Sequence, residues 1–172
     1  MKKKDLLFCI IFFLSTQCFA QTSQIDSIKK VLSVVKEDSL KVNSLLALSR
    51  EFFSISPAEA INYATEARDL AEKKHFKKAM AYAYKNIGIG YYMQAKYLES
   101  LGNYDKALAI FDSLDDKVGV ANILSNEASL YFNQADDEKA LELNLKSLQV
   151  AEQIGDTLRI LTALQNIGAV YS

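Results

Sequence analysis

Thiol chemistry is almost absent from this chain. Both of its cysteines, Cys9 and Cys18, lie within the first twenty of 172 residues, so the rest has no disulfide, no thiolate ligand and no cysteine nucleophile. One proline and six glycines are too few for a fold made of many tight turns, and their scarcity points to helices. Histidine occurs once, at His75, with no second His or Cys at ligand spacing, which leaves no zinc motif. No nucleophile elbow and no P-loop occurs, and Gly88-Ile89-Gly90 lies inside a helical phrase rather than after a strand. Charge of one sign is also lacking: a formal net charge of −1 excludes a strongly basic nucleic-acid footprint. Half the residues are hydrophobic and 24% are charged, a globular balance, with nine Tyr and nine Phe supplying bulk in the absence of Trp.

Long apolar runs are missing as well. Leu6 to Leu14 is a nine-residue run, well short of the roughly 20 residues a membrane-spanning helix needs. It follows the basic start Met1-Lys2-Lys3-Lys4 and precedes Cys18-Phe19-Ala20, which offers small residues at the −3 and −1 places of a cleavage site. Residues 1–20 are therefore expected to be a signal peptide cut after Ala20. Ser15-Thr16-Gln17 before Cys18 does not resemble a lipobox. Export to the periplasm or cell envelope of a Gram-negative bacterium is the expected localisation, with no membrane insertion after cleavage. Cleavage takes three bases and one acid from the 20 and 21 present, leaving a mature charge of about −3 that attracts neither nucleic acid nor an anionic membrane.

What is present is a repeat. AYKNIGIGYY at 83–92, ILSNEASLYF at 123–132 and ALQNIGAVYS at 163–172 stand forty residues apart. They align Asn86 with Asn126 and Asn166, Gly88 with Ala128 and Gly168, and Tyr91 with Tyr131 and Tyr171. Self-similarity at that period marks a stacked repeat architecture. Val120, Ile123, Leu124, Ala128, Tyr131 and Phe132 form one helical stripe, and Ala140, Leu141, Leu145, Leu148, Ala151 and Ile154 a second. Ser56-Pro57-Ala58-Glu59 has the order of a capping box and predicts a helix starting at Pro57. The pairs Asp115-Asp116 and Asp136-Asp137 read as helix caps rather than metal or acid–base pairs.

Residues 83–101 and 123–141 resemble the tetratricopeptide repeat: an apolar residue followed by Gly or Ala, paired aromatics, then Gln-small-polar and Ala-Leu opening a second helix. Residues 45–71 fit a further copy whose turn is one residue shorter. The resemblance implies an all-α fold, an α-solenoid of stacked antiparallel helix hairpins in a right-handed superhelix of about three and a half repeats. The expected divisions are a lid helix over 21–37 and repeats over 38–75, 76–115, 116–155 and 156–172, the last incomplete. The family's usual unit is about 34 residues, so a forty-residue period implies longer helices. Gly102-Asn103-Tyr104-Asp105-Lys106-Ala107-Leu108 imitates a turn and a new helix, but the period places it within a helix.

Gly88, Ala128 and Gly168 are expected to let the two helices of a hairpin approach closely, facing Ala60, Ser100 and Ala140, so that Gly168→Leu would separate them. The asparagines read as amides holding one repeat on the next. Glu127 occupies the place of Ile87 and Ile167, either through local drift of the repeat or for a specific polar contact. His75 and the lysines around it, Lys73, Lys74, Lys77 and Lys78, read as a solvated turn.

By resemblance, the groove face would carry Asn43, Arg50, Phe53, Tyr82, Lys85, Ile89, Tyr92, Asn122, Ser125, Ser129, Phe132, Thr162 and Gln165. Aromatic and amide side chains with a few cations suit a peptide or helix. The family's two-carboxylate clamp does not carry over, because Lys85 and Asn126 match its pattern but Ile89, Thr162 and Asn166 do not. No catalytic, metal or cofactor residue is assigned. The expected function is an exported scaffold binding a protein or peptide of unknown identity, as the sensory or interaction part of a larger envelope signalling protein. A free-standing periplasmic assembly factor is the alternative. The repeat stopping at Tyr171-Ser172 suggests a fragment of a longer gene, and the uncapped last repeat suggests self-association.

Overall fold

Each helix from the fourth onward begins twenty residues after the last, and the turns between them explain why. The computed structural model describes residues 23–171, so the expected signal peptide lies outside the described residues. Helix α1 covers residues 23–34, followed by α2 Asp38–Glu51, α3 Pro57–Lys73, α4 Lys77–Met93, α5 Tyr97–Ser113, α6 Lys117–Asn133, α7 Asp137–Gln153 and α8 Thr157–Val170. No strand occurs among the described residues. Successive helices pack on one another, and α2 also meets α4, α4 meets α6, and α6 meets α8. The result is an all-α solenoid of stacked hairpins.

Between helices the chain uses one backbone device. His75, Ala95, Asp115, Ala135 and Gly155 all have positive φ, between 51° and 66°. The next N–H reaches back five residues, from Phe76 to the Ala71 carbonyl at 2.8 Å and from Asp116 to that of Phe111 at 2.9 Å. This is the Schellman closure, which satisfies carbonyls that the helix end leaves free. Only Gly155 is of the type that adopts the left-handed region without steric cost. The following residue caps the next helix: Asp116 accepts from Gly119 N–H at 3.0 Å, Asp136 from Lys139 at 3.0 Å and Asp156 from Arg159 at 3.1 Å. Asp115 is not a cap, since it holds the left-handed position itself.

The first hairpin departs from this. Its connection was expected to be one residue shorter, yet it runs from Phe52 to Ser56, five residues against three elsewhere, with no positive φ. Pro57 forces the preceding residue to be extended, and Ser56 has φ −151° while its hydroxyl accepts from Glu59 N–H at 3.4 Å. Helix α1 packs on this hairpin, with Ile25, Ile28 and Leu32 against Leu48, Phe52 and Ala60.

Helices α3, α5 and α7 present matched stripes of buried residues: Ala60, Ala64, Ala67 and Ala71; Ser100, Tyr104, Ala107 and Phe111; Ala140, Asn144, Ser147 and Ala151. The stripe expected for α7 is thus rotated. Leu145 is half exposed, while Leu143, Asn144 and Ser147 are buried, because close helix packing selects small side chains at the contact. At one close contact Ser100 Oγ donates to the Gly88 carbonyl at 2.9 Å, and a Cβ on Gly88 would stand 2.5 Å from the Tyr104 ring. Tyr82 meets Phe111 edge-on at 5.1 Å, closing the central core around Tyr104, Ile123 and Leu130.

Gly168 does not fit the close-approach expectation. A Cβ there meets nothing within 4 Å, because no described helix packs on that side of α8, and Leu at this position separates nothing in this structure. Leu158, Leu161, Leu164 and Tyr171 are exposed along the same helix. Gly102 lies within α5, also with open space around it.

Two glycine substitutions should therefore behave oppositely. Gly102→Ala is expected to raise stability by up to about 1 kcal/mol through helix propensity, and Gly88→Ala to lower it by about 1–3 kcal/mol through overpacking against Tyr104. Urea unfolding midpoints followed by circular dichroism measure both.

Candidate functional site: a groove along the first helices of the hairpins

One side of the solenoid is formed by the even-numbered helices α2, α4, α6 and α8, and residues between their buried stripes line two depressions. A cleft of about 460 Å³ lies where α2 meets the start of α4, lined by Ser39, Val42, Asn43, Leu46, Phe76, Lys77, Lys78, Ala79 and Tyr82. Its floor is apolar and its rim carries two ammonium groups. A smaller notch of about 210 Å³ involves α4, α6, α7 and α8, with Tyr92, Ser129, Phe132, Asn133, Asn144 and Asn166 in its lining. Asn133 donates a hydrogen bond to the Tyr92 hydroxyl there.

Lys85 lies between these depressions in sequence, on the same helix as Tyr82 and Tyr92. Its ammonium sits 5.1 Å from the centre of the Tyr82 ring, a cation–π contact. Burial lowers its pKa to about 8, and the charges that add to the effect are both cations, Arg50 and Arg159. None of the thirteen expected groove positions is acidic. The cationic character of this face thus contrasts with the slightly acidic chain.

The structure draws together Asn43 and Tyr82 in the cleft, and Tyr92, Ser129 and Phe132 in the notch. Asn122 accepts from Arg159 Nε at 3.1 Å, and Arg159 also pairs with Asp156. Ser125 is tied to Ser147 at 2.9 Å, and Ile89 packs on the central core. Phe53 is displaced from the set: it sits in the α2–α3 connection and packs against the cluster of Ile25, Leu48 and Phe52. Thr162 and Gln165 are exposed on α8 and line neither depression, and the Thr162 hydroxyl donates to the Leu158 carbonyl.

Sequence reasoning missed Arg159, Asn133 and Asn144. The signal for Asn144 was available, since the forty-residue register sets it against Tyr104 and Ala64. His75 and the lysines around it are exposed, as a solvated turn requires, and two of the lysines make surface ion pairs, Lys74 with Asp38 at 2.6 Å and Lys78 with Asp116 at 2.8 Å. Among the asparagines, Asn86 donates to the Leu46 carbonyl across forty residues at 3.3 Å. Asn126 and Asn166 make no equivalent bond among the described residues. Tyr91 and Tyr131, half-buried, supply the carbonyls that accept from Lys96 and Asp136 in the turns, and Tyr171 is exposed.

Residues 79–153 match the family model of the tetratricopeptide repeat. Over those residues the chain is of the tetratricopeptide-repeat type. Many solved structures share the fold, and two illustrate it. One is the crystal structure of BtubC (BKLC) from P. vanneervenii, with TM-score 0.74 and 17% identity over 92% of this chain and 68% of that one. The other is aspartyl phosphate phosphatase F from Bacillus subtilis, with TM-score 0.78 and 13% identity over 89% of this chain and 44% of that one. No curated protein matches the sequence. Tetratricopeptide repeats serve as protein-interaction scaffolds, and the fold of this chain suggests the same use. Among the described residues no group of three or more His, Cys, Asp or Glu is placed to hold a metal ion. No helix among them is long and apolar enough to cross a membrane.

Glu127 lies off this groove. It is 8% exposed, and its carboxylate makes no hydrogen bond among the described residues, which favours drift of the repeat over a specific contact. Burial pushes its pKa up to about 7, Asp105 adds to the shift, and Lys139 opposes it. A carboxyl whose folded pKa exceeds its unfolded value holds its proton better when folded, so stability falls as pH rises from about 4.5 to 7. Glu127→Gln should remove that part of the pH dependence and add about 1–3 kcal/mol above pH 7. Urea midpoints at pH 5 and pH 8 for the two proteins check the sign; a variant weakened at pH 8 would restore the polar-contact account.

Proposed function

We propose that this protein is an exported tetratricopeptide scaffold that holds a protein or peptide partner in the groove of α2, α4, α6 and α8. In this reading it forms the sensory or interaction part of a larger signalling protein of a Gram-negative envelope. The observation that carries the binding assignment is Lys85. A half-buried ammonium with only cations to modify its charge, beside an apolar cleft with aromatic walls, is a surface left incomplete without a partner. A segment bearing acidic or neutral polar side chains with one apolar anchor suits it, the anchor entering the Val42, Leu46 and Tyr82 cleft.

The order Lys2-Lys3-Lys4, Leu6 to Leu14 and Cys18-Phe19-Ala20 supports export. The apolar surface of α8, with Leu158 and Leu161 exposed, supports self-association as a secondary property.

Selection of a random twelve-residue peptide library on the purified chain tests the groove. Binders are expected to lose affinity at least tenfold on Lys85→Glu or Tyr82→Ala, and binders indifferent to both changes would sink the assignment. Cell fractionation with N-terminal sequencing tests export: a periplasmic product beginning at Gln21 is expected, and a cytosolic product retaining Met1 would contradict it.

A further inference from the structure

The notch on the groove face arises from a matched change within the repeat. In the second hairpin the glycine at position 88 faces the Tyr104 ring, which fills the space between the helices. Forty residues on, Ala128 replaces the glycine and Asn144 replaces the tyrosine. A Cβ at position 88 would clash with a tyrosine so placed, at 2.5 Å, so the third hairpin cannot combine Ala128 with a ring in that pose. The shorter asparagine opens the notch of about 210 Å³. That volume is below the roughly 300–1,000 Å³ of pockets that take whole small molecules, and it suits one side chain.

Asn144 is 2% exposed, and its Oδ1 is buried without a hydrogen-bond partner among the described residues. A buried amide is normally satisfied, so an unmet one lining a cavity points to a group that completes it. Across the notch, the Tyr92 oxygen accepts from Asn133, which leaves the hydroxyl's own hydrogen for another acceptor. Asn166 adds a second amide and Phe132 and Val170 an apolar wall. No acid lines the notch, and the groove already carries Arg50, Lys85 and Arg159, so a lysine or arginine side chain is disfavoured.

We propose that this notch is a recognition pocket for the primary-amide side chain of a glutamine or asparagine in a peptide lying along the groove. The assignment rests on the groove reading above. The ligand NH2 donates to Asn144 Oδ1, and the ligand carbonyl accepts from the Tyr92 hydroxyl. A primary amide also answers Asn144 with its own amide turned the other way, because it offers both a donor and an acceptor.

The probe is N-acetylglutamine N-methylamide, with the leucine and lysine counterparts as controls, titrated into the ¹⁵N-labelled full chain. The glutamine compound is expected to shift the side-chain NH2 signals of Asn133, Asn144 and Asn166, with the controls binding at least fivefold more weakly. Asn144→Leu and Asn144→Ala, each checked for an unchanged helical spectrum, should abolish the preference. Equal shifts with all three probes, no shifts at those signals, or a preference that persists in the variants would overturn the proposal, and the comparison of probes on the unmodified chain decides even if a variant unfolds. Library peptides that respond to Lys85→Glu without favouring Gln or Asn would leave the groove standing and remove the notch. Loss of the groove reading would show instead as binders indifferent to Lys85.

Discussion

A left-handed residue every twenty positions is the constraint on which the rest depends. Each one closes a seventeen-residue helix by returning an N–H to a carbonyl five residues back, and the last three hand the chain to an aspartate that caps the next helix. Equal helices joined by equal turns keep the small-residue stripes of α3, α5 and α7 in register. The stripes bring neighbours close enough for Ser100 to bond the Gly88 carbonyl and for Asn86 to reach back to Leu46. The groove follows, because helices held at that spacing leave their polar faces aligned on one side. Four of the five left-handed positions are filled by residues other than glycine, at some steric cost that the carbonyl closure and the packing on either side offset.

Chemical character enters where the register is kept but the residue types change. Gly88 with Tyr104 makes a sealed contact, whereas Ala128 with Asn144 makes an open one with an unmet amide. Ile87 packs in the core, and Glu127 at the matching place bears a raised pKa. Both departures lie in the third hairpin. One opens onto the groove and supplies hydrogen-bonding capacity; the other carries a desolvation penalty with no compensating bond.

The architecture was legible because a forty-residue period fixes helix number, turn position and the glycine approach at position 88 together. The embedded Gly102 could be read for the same reason, and the capping Ser56 from its local Ser-Pro-Ala-Glu order. What escaped was set by contacts between elements. The stripe of α7 was misplaced because leucines outrank asparagine and serine in hydropathy, although close packing selects for size. The five-residue connection before Pro57 and the displacement of Phe53 depend on backbone limits that a register comparison does not weigh. Gly168 shares the sequence context of Gly88 but has no described helix against it, so the same motif has a different duty there. Arg159 could be placed near Lys85 only once α8 was seen beside α6.

The unopposed Lys85 has a kinetic consequence. On the proposed reading, the cations of the groove, Arg50 and Lys85, would turn an acidic segment of the partner toward it before contact. Arrival, more than residence, would then depend on ionic strength, since added salt shortens the distance over which these cations are felt and leaves the short-range contacts nearly untouched.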